Sequence, residues 1–293
     1  MKPQKDIYEK ITASIIEAIE AGCEKFQMPW HTFGTVPSNA NNKRRYRGIN
    51  VLVLWAAAAQ RGYRTQFWAT YQQWRELGAQ VPQGERSTAV VFWKFYDEDA
   101  ESECGDPEET SATSSTKRCF ARTYNVFNAD QVDGFILPEV AALSETKRIE
   151  QAEAFFRQIG IRIIESGVRA FYSPQTDEVH MPPFSLFKEA QHFYSTLSHE
   201  TVHATGAASR CNRQLANRFG SEAYAAEELI AELGSAFLCS ELNLKTDPRS
   251  DNAPYVENWL RVLKGDRRAI FAAASKAQQA VDWLLNAQIQ EAA

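Results

Sequence analysis

In the run FYSTLSHETVHATG, His199, Glu200 and His203 satisfy the pattern H-E-x-x-H. Histidines four residues apart on a helix lie on one face a turn apart, so both imidazoles can reach a single metal ion. A glutamate between them projects beside that ion. There it serves as general base toward a water that the metal acidifies, the chemistry of metal-assisted peptide hydrolysis. Phe193, Tyr194, Leu197 and Val202 continue an apolar stripe at helical spacing, which places the motif on a helix. The bland alternative is a helix with two histidines on a polar surface.

A catalytic zinc takes a third protein ligand and keeps a position open. The pattern H-E-x-x-H-x-x-G-x-x-H accepts Gly206 but requires a histidine where Ser209 stands, so that family is excluded. Downstream, YAAEELIAELGSAFLCSEL reads as a strongly apolar helix with Glu228 and Glu232 four residues apart on one face. Glu228 is the expected third ligand, and Glu232 is placed to accept a hydrogen bond from a ligand histidine. Glu227 is the rival ligand and reads more readily as part of a solvated helix face. Zinc is the ion these donors suit best, and manganese or cobalt could replace it. The five cysteines are not spaced to join the histidines, which argues against a closed structural site.

Peptide hydrolysis also needs a strand to align the substrate backbone and a donor for the oxyanion. DEVHMPP, ahead of the motif helix, is the expected edge strand, with His180 a surface residue. Tyr224, Tyr255 and Arg210 are candidate donors. Spacing alone brings none of them to the site.

The surrounding order is helix, small sheet, then helices, an α+β arrangement. DIYEKITASIIEAIEAG, INVLVLWAAAAQRG and YQQWREL read as helices, the last capped by Thr70. STAVVFWKFY and RCFARTYNVFN read as paired strands. After a boundary near 137–146, TKRIEQAEAFFRQIG reads as a helix and IRIIES, RAFYS and DEVHM as short strands. This gives an N-terminal mixed domain over 1–140 and a C-terminal zincin-like domain over 146–293, in which a small sheet accompanies a helical H-E-x-x-H core.

Residues 1–96 hold 13 Lys and Arg against 7 Asp and Glu, whereas 97–111 hold 8 acids and no base. The stretch 97–117 is too acidic and too rich in Ser and Thr to pack, and reads as a mobile loop. Lys43, Arg44, Arg45, Tyr46 and Arg47 form a basic cluster around a tyrosine, with Trp30, Trp55, Trp68, Trp74 and Trp93 in the same region. Cations for phosphates and aromatic faces for unpaired bases suit single-stranded nucleic acid. Trp55 and Trp74, however, fall in buried helical patterns and read as core. No apolar run is long enough to span a bilayer, no secretory h-region follows the N-terminus, and the odd, scattered cysteines suit a reducing compartment. The cytoplasm is the expected location, with no membrane partner.

Several ordered segments, among them DIYEKITASIIEAIEAG, YRGINVLVLW, YNVFNADQVDG, YSPQTDEVHMPPF and FYSTLSHETVHATG, resemble the ArdC-type antirestriction proteins of conjugative plasmids. After the motif helix, Thr205-Gly206-Ala207 stands where the family more often has Thr-Gly-His. The resemblance implies a single-stranded-DNA-binding domain followed by a zincin metallopeptidase domain, in a plasmid-encoded bacterial protein that shields incoming DNA from host restriction. A component of host restriction is then a candidate protein substrate. Two other readings stand beside it: a DNA-binding shield whose zinc domain is structural or catalytically idle, and a regulatory peptidase that cuts one partner protein.

Overall fold

The isoleucines of the first segment wind into α1 (Ile7–Cys23), which buries Ile11, Ile15 and Ile19 on one stripe and runs one residue past Gly22. The computed structural model describes residues 7–23, 28–31, 35–97, 100–104, 118–138, 145–213, 215, 221–244 and 253–287. Two compact units result, one of 1–18 with 36–140 and the other of 19–35 with 141–293. The fold is α+β.

In the first unit, α2 (Ile49–Arg61) is buried from Ile49 through Ala58 and ends on Gly62. Gly62 adopts the left-handed conformation (φ 71°) that a side chain would strain. Thr70 and Gln73 close a reciprocal capping box on α3 (Tyr71–Glu76). The sheet runs β1 (Ser38–Asn39), β2 (Phe67–Thr70), β5 (Arg118–Asn128), β3 (Thr88–Asp97), β4 (Ala100–Cys104), with only the β1–β2 pair parallel. β3 and β5 pair as their composition predicts, with Val91 opposite Thr123. The buried Asn50 amide on α2 bonds both the N–H and the carbonyl of Val91, tying the helix to the sheet. Trp55, Trp68 and Trp74 have no exposed surface, and Trp93 is buried with its ring 5.6 Å from that of Tyr8.

Part of the expected acidic loop is a strand. Asp97 pairs with Ala100 and Trp93 with Cys104, so β4 takes up the backbone edge of β3 that a loop would leave open. Ladder bonds are made by the main chain, which acidic composition does not remove. Residues 98–99 and 105–117 of that stretch lie outside the described residues.

In the second unit, α4 (Glu145–Gln158) precedes a three-stranded sheet of order β6 (Arg162–Glu165), β8 (Glu178–Met181), β7 (Phe171–Ser173). α5 (Ala190–Ala204), α6 (Glu222–Glu241), α7 (Ala253–Gly265) and α8 (Ala269–Ala287) follow. The strand expected at the sheet edge, β8, occupies the middle: Val179 pairs with Ile163 on one side and Tyr172 on the other. Val179 and Met181 are fully buried, and the strand with the most buried side chains takes the centre. α6 packs against both α5 and α8, as a helix apolar nearly all round must. The segment 19–35, grouped with the N-terminal domain on sequence grounds, clusters here instead. Trp30, 1% exposed, lies 6.4 Å from the Trp259 ring, and Glu20 pairs with Lys264 at 2.7 Å.

Candidate metal centre

The site depends on how closely α5 and α6 approach. A Cβ at Gly234 would lie 2.8 Å from Cγ1 of Val202, so only glycine permits this crossing. Small polar residues line the rest of the contact: Ser235 Oγ donates to the Ser195 carbonyl at 3.1 Å, and Cys239 Sγ lies 3.5 Å from Ser198 Oγ. This approach sets the first turns of α6 against the last turns of α5, and the motif histidines meet the glutamates of the second helix.

The Nε2 atoms of His199 and His203 stand 3.1 Å apart. Glu228 presents one oxygen to each, 3.5 Å from His199 Nε2 and 3.6 Å from His203 Nε2. Donors held at about 2.0–2.1 Å around a tetrahedral ion stand about 3.3–3.4 Å from each other, so the observed spacings match that cage to within a few tenths of an ångström. His199, His203 and Glu228 are the one group among the described residues whose donor atoms converge in this way. Two imidazoles and a carboxylate form a donor set suited to a divalent ion such as zinc, manganese or cobalt. Glu200, on the same helix, is buried.

Each histidine has a carboxylate behind it. His203 Nδ1 lies 3.3 Å from Glu227, whose oxygens Arg213 holds at 2.9–3.3 Å. Arg213 also donates to the Val202 carbonyl and the Thr205 hydroxyl, closing the C-terminal end of α5. Glu227 is therefore not a solvated residue: it is 8% exposed and bonded to the second motif histidine. Behind His199, Glu232 places Oε2 3.7 Å from Nδ1, an ion-pair distance longer than the hydrogen bond expected of it.

The electrostatics favour a cation. Burial works to strip the proton from His203, but bonds to Glu227 and Glu228 and the charges of Glu228 and Glu200 outweigh it, and its pKa is pushed up to about 10. Burial likewise opposes charge on Glu228 and Glu227. The two histidines hold Glu228 below the usual carboxylate range, and His203 and Arg213 do the same for Glu227. A proton or a divalent ion fits this cluster; a neutral centre does not.

Of the candidate oxyanion donors, Tyr224 is the one beside the cluster. Burial, then bonds to Tyr255 at 3.5 Å and to Glu228, raise its pKa and keep its hydroxyl protonated. Arg210 is committed elsewhere, paired through both terminal nitrogens with Asp177 at 2.7 and 2.9 Å and set over the Trp283 ring. His180 stacks on Phe171 on the sheet, apart from the cluster. Trp30, His31 and Arg213 join the site without any spacing signal in the sequence. Trp30, grouped by sequence with the aromatics beside the basic cluster, is buried here instead.

In the other unit, residues 38–46 form a turn closed by main-chain bonds, among them Asn39 N to Arg44 O and Tyr46 N to Pro37 O. Lys43, Arg44, Arg45 and Arg47 are exposed, but Tyr46 is buried and accepts from Asn39 Nδ2 at 3.5 Å. Its face is unavailable for stacking on a base. Desolvation pushes the Tyr46 pKa up to about 12.

Residues 150–276 match the family model for zincin-like metallopeptidases, and residues 5–127 match that for the N-terminal domain of the anti-restriction factor ArdC. The chain is 50% identical over 283 residues to the protein y4eC of Sinorhizobium fredii, covering 95% of this chain and 91% of that one. It is 37% identical over 306 residues to the DNA primase TraC of Escherichia coli, which takes in 98% of this chain but only 28% of the primase. Among solved structures it resembles the antirestriction protein ArdC of plasmid R388 at 39% identity, covering 97% of this chain and 98% of that one. The TM-score is 0.78 for the metal-free crystal form and 0.76 for the Mn(II)-bound form. With both family models matched in order and full-length likeness to a solved member, this chain belongs to the ArdC-type antirestriction proteins and carries their zincin-like C-terminal domain.

Proposed function

We propose that this protein shields incoming plasmid DNA from restriction in the bacterial cytoplasm, binding single-stranded DNA through its N-terminal unit and hydrolysing peptide bonds at a metal centre in the other. The observation that carries the reading is the convergence of His199 Nε2, His203 Nε2 and both oxygens of Glu228 on one point. His199, His203 and Glu228 hold the ion, with zinc favoured and manganese or cobalt able to serve. Such an ion, held there, would supply Lewis acidity toward the scissile carbonyl and the attacking water. Glu200 takes the proton from that water and passes it to the leaving amine. Tyr224, kept protonated, donates to the oxygen that gains charge. Glu227 and Glu232 keep the ligand imidazoles in the tautomer that leaves Nε2 free.

The exposed cations of the turn at Lys43, Arg44, Arg45 and Arg47 support the DNA role. Binding of this kind weakens steeply with salt and is stronger for single strands than for duplex. The substrate of the peptidase is a protein, with a component of host restriction the first to test.

Glu200→Ala separates the parts of this proposal. The variant is expected to keep one equivalent of metal, to lose cleavage of denatured protein substrates, and to lose protection of unmodified plasmid DNA in a restricting host. Protection that survives in a cleavage-dead variant would instead favour the reading of a DNA shield with an idle metal domain.

A further inference from the structure

We propose that His31 and Trp30 are positioning residues of the metal centre, holding Glu232 so that it fixes the orientation of His199. The inference rests on the metal reading above. Glu232 and His31 are both deeply buried, each with 4% of its side chain exposed. Oε1 of Glu232 lies 2.6 Å from Nε2 of His31 and accepts from Trp30 Nε1 at 3.2 Å. The other oxygen, Oε2, faces Nδ1 of His199 at 3.7 Å, which leaves no room for a water between them. Two neighbouring side chains from the N-terminal stretch thus meet one carboxylate of α6, across sequence separations of 201 and 202 residues.

The chemistry explains why such a contact is needed. A buried carboxylate costs several kcal/mol unless donors satisfy it, and leaving it alone drives it to take a proton or turn away. Either change would remove the carboxylate charge that faces His199 Nδ1 at 3.7 Å. The ring would then no longer be held as the tautomer whose Nε2 faces His203 and Glu228. The second histidine is served by an equivalent arm of ligand imidazole, carboxylate and donor: His203, Glu227, Arg213. That arm is local, since Arg213 follows the motif helix directly. The His199 arm draws its donors from the turn at Pro29–His31, pinned by the packing of Trp30 on Trp259.

The test uses the full chain and Zn(II), with affinity measured by competition with a chromophoric chelator and the ion-free fold checked by thermal melting. Wild type is expected to bind one equivalent. His31→Phe, which fills the space but offers no donor, is expected to bind about 10–100-fold more weakly. His31→Gln restores an N–H donor and should recover most of that loss. Trp30→Phe should weaken binding by a smaller factor. In a Glu232→Gln background, His31→Phe should cost little further, because the buried charge that His31 satisfies is gone.

Wild-type affinity in His31→Phe would overturn the inference while leaving the metal site intact, as would an equal loss in the Glu232→Gln background. A wild-type chain that binds no zinc would overturn the metal reading and this inference with it. Should His31→Phe fail to fold, His31→Gln and Trp30→Phe still decide. Near-wild-type affinity in the first with a loss in the second supports the inference, and wild-type affinity in both refutes it.

Discussion

Two polar clusters dominate this molecule, and they are organised in opposite ways. Around His199 and His203 the carboxylates of Glu227 and Glu232 are buried, that of Glu228 is partly buried, and each of the three faces an imidazole. In the turn at Lys43–Arg47 the cations are exposed and the one aromatic ring is buried. The first cluster can discriminate among ions by geometry. The second supplies positive charge along a surface, with strength set by salt and number rather than by exact placement. Damage should therefore be steep and local in the metal cluster, and shallow and additive in the basic turn.

The largest effect is expected from Glu228→Ala, which removes two of the four converging donor atoms. Stoichiometric metal should be lost on purification, as read by elemental analysis, while full occupancy would show that Glu228 is not a ligand. Next comes pH. The folded pKa of His203, about 10, lies above the 6.5 of a free imidazole. Its proton therefore stabilises the ion-free fold fully below pH 6.5, and that contribution is lost as pH rises through about 10. A metal must displace the same proton, so zinc affinity should rise about tenfold per pH unit across this window, and chelator-treated protein should melt progressively lower from pH 7 to 10. A flat affinity profile would mean that no proton is displaced. The lowered pKa values of Glu227 and Glu228 act in the other direction, stabilising the fold above about 4.5 and ceasing to do so on acidification.

Gly234→Ala tests the scaffold. The new methyl meets Val202, a stiff side chain on the motif helix, and should destabilise by about 1–3 kcal/mol with weaker metal binding. An unchanged melting temperature would show that the helices separate freely. The smallest effects belong to the basic turn. Arg44→Ala should weaken single-stranded-DNA binding a few-fold and lower its salt slope by about one ion. Tyr46→Phe should leave affinity unchanged and cost at most about 1 kcal/mol of stability through the lost Asn39 bond. A tenfold affinity loss in Tyr46→Phe would contradict the burial of that ring.

These contrasts also explain what could be read before any coordinates. Helical periodicity fixes the relation of residues three and four apart, so the placement of His199 against His203 and of Glu228 against Glu232 was legible, as was the Thr70 cap. Pairing β3 with β5 required only two β-branched and aromatic runs in sequence. What escaped was everything set by tertiary approach. Glu227 looked solvated because a helix pattern does not show that Arg213 folds back onto it. DEVHM looked like an edge because strand order is not written in composition. Tyr46 looked available because its neighbours are charged. His31 carried no signal, since its partner is two hundred residues away.

The chain passes from the first compact unit into the second at residue 19, returns at 36, and crosses again near 140. The two family models, ending at 127 and beginning at 150, suggest a clean junction between them. A cut there would keep the three residues whose donor atoms converge but leave Trp30 and His31 on the wrong fragment. Recombination at that junction faces the same obstacle, since a foreign N-terminal half would have to supply its own donors for Glu232. The two halves are thus interlaced by sequence and would be inherited as one piece. The likeness to the much longer TraC primase, which takes in nearly all of this chain in one stretch, has the form such a constraint would leave.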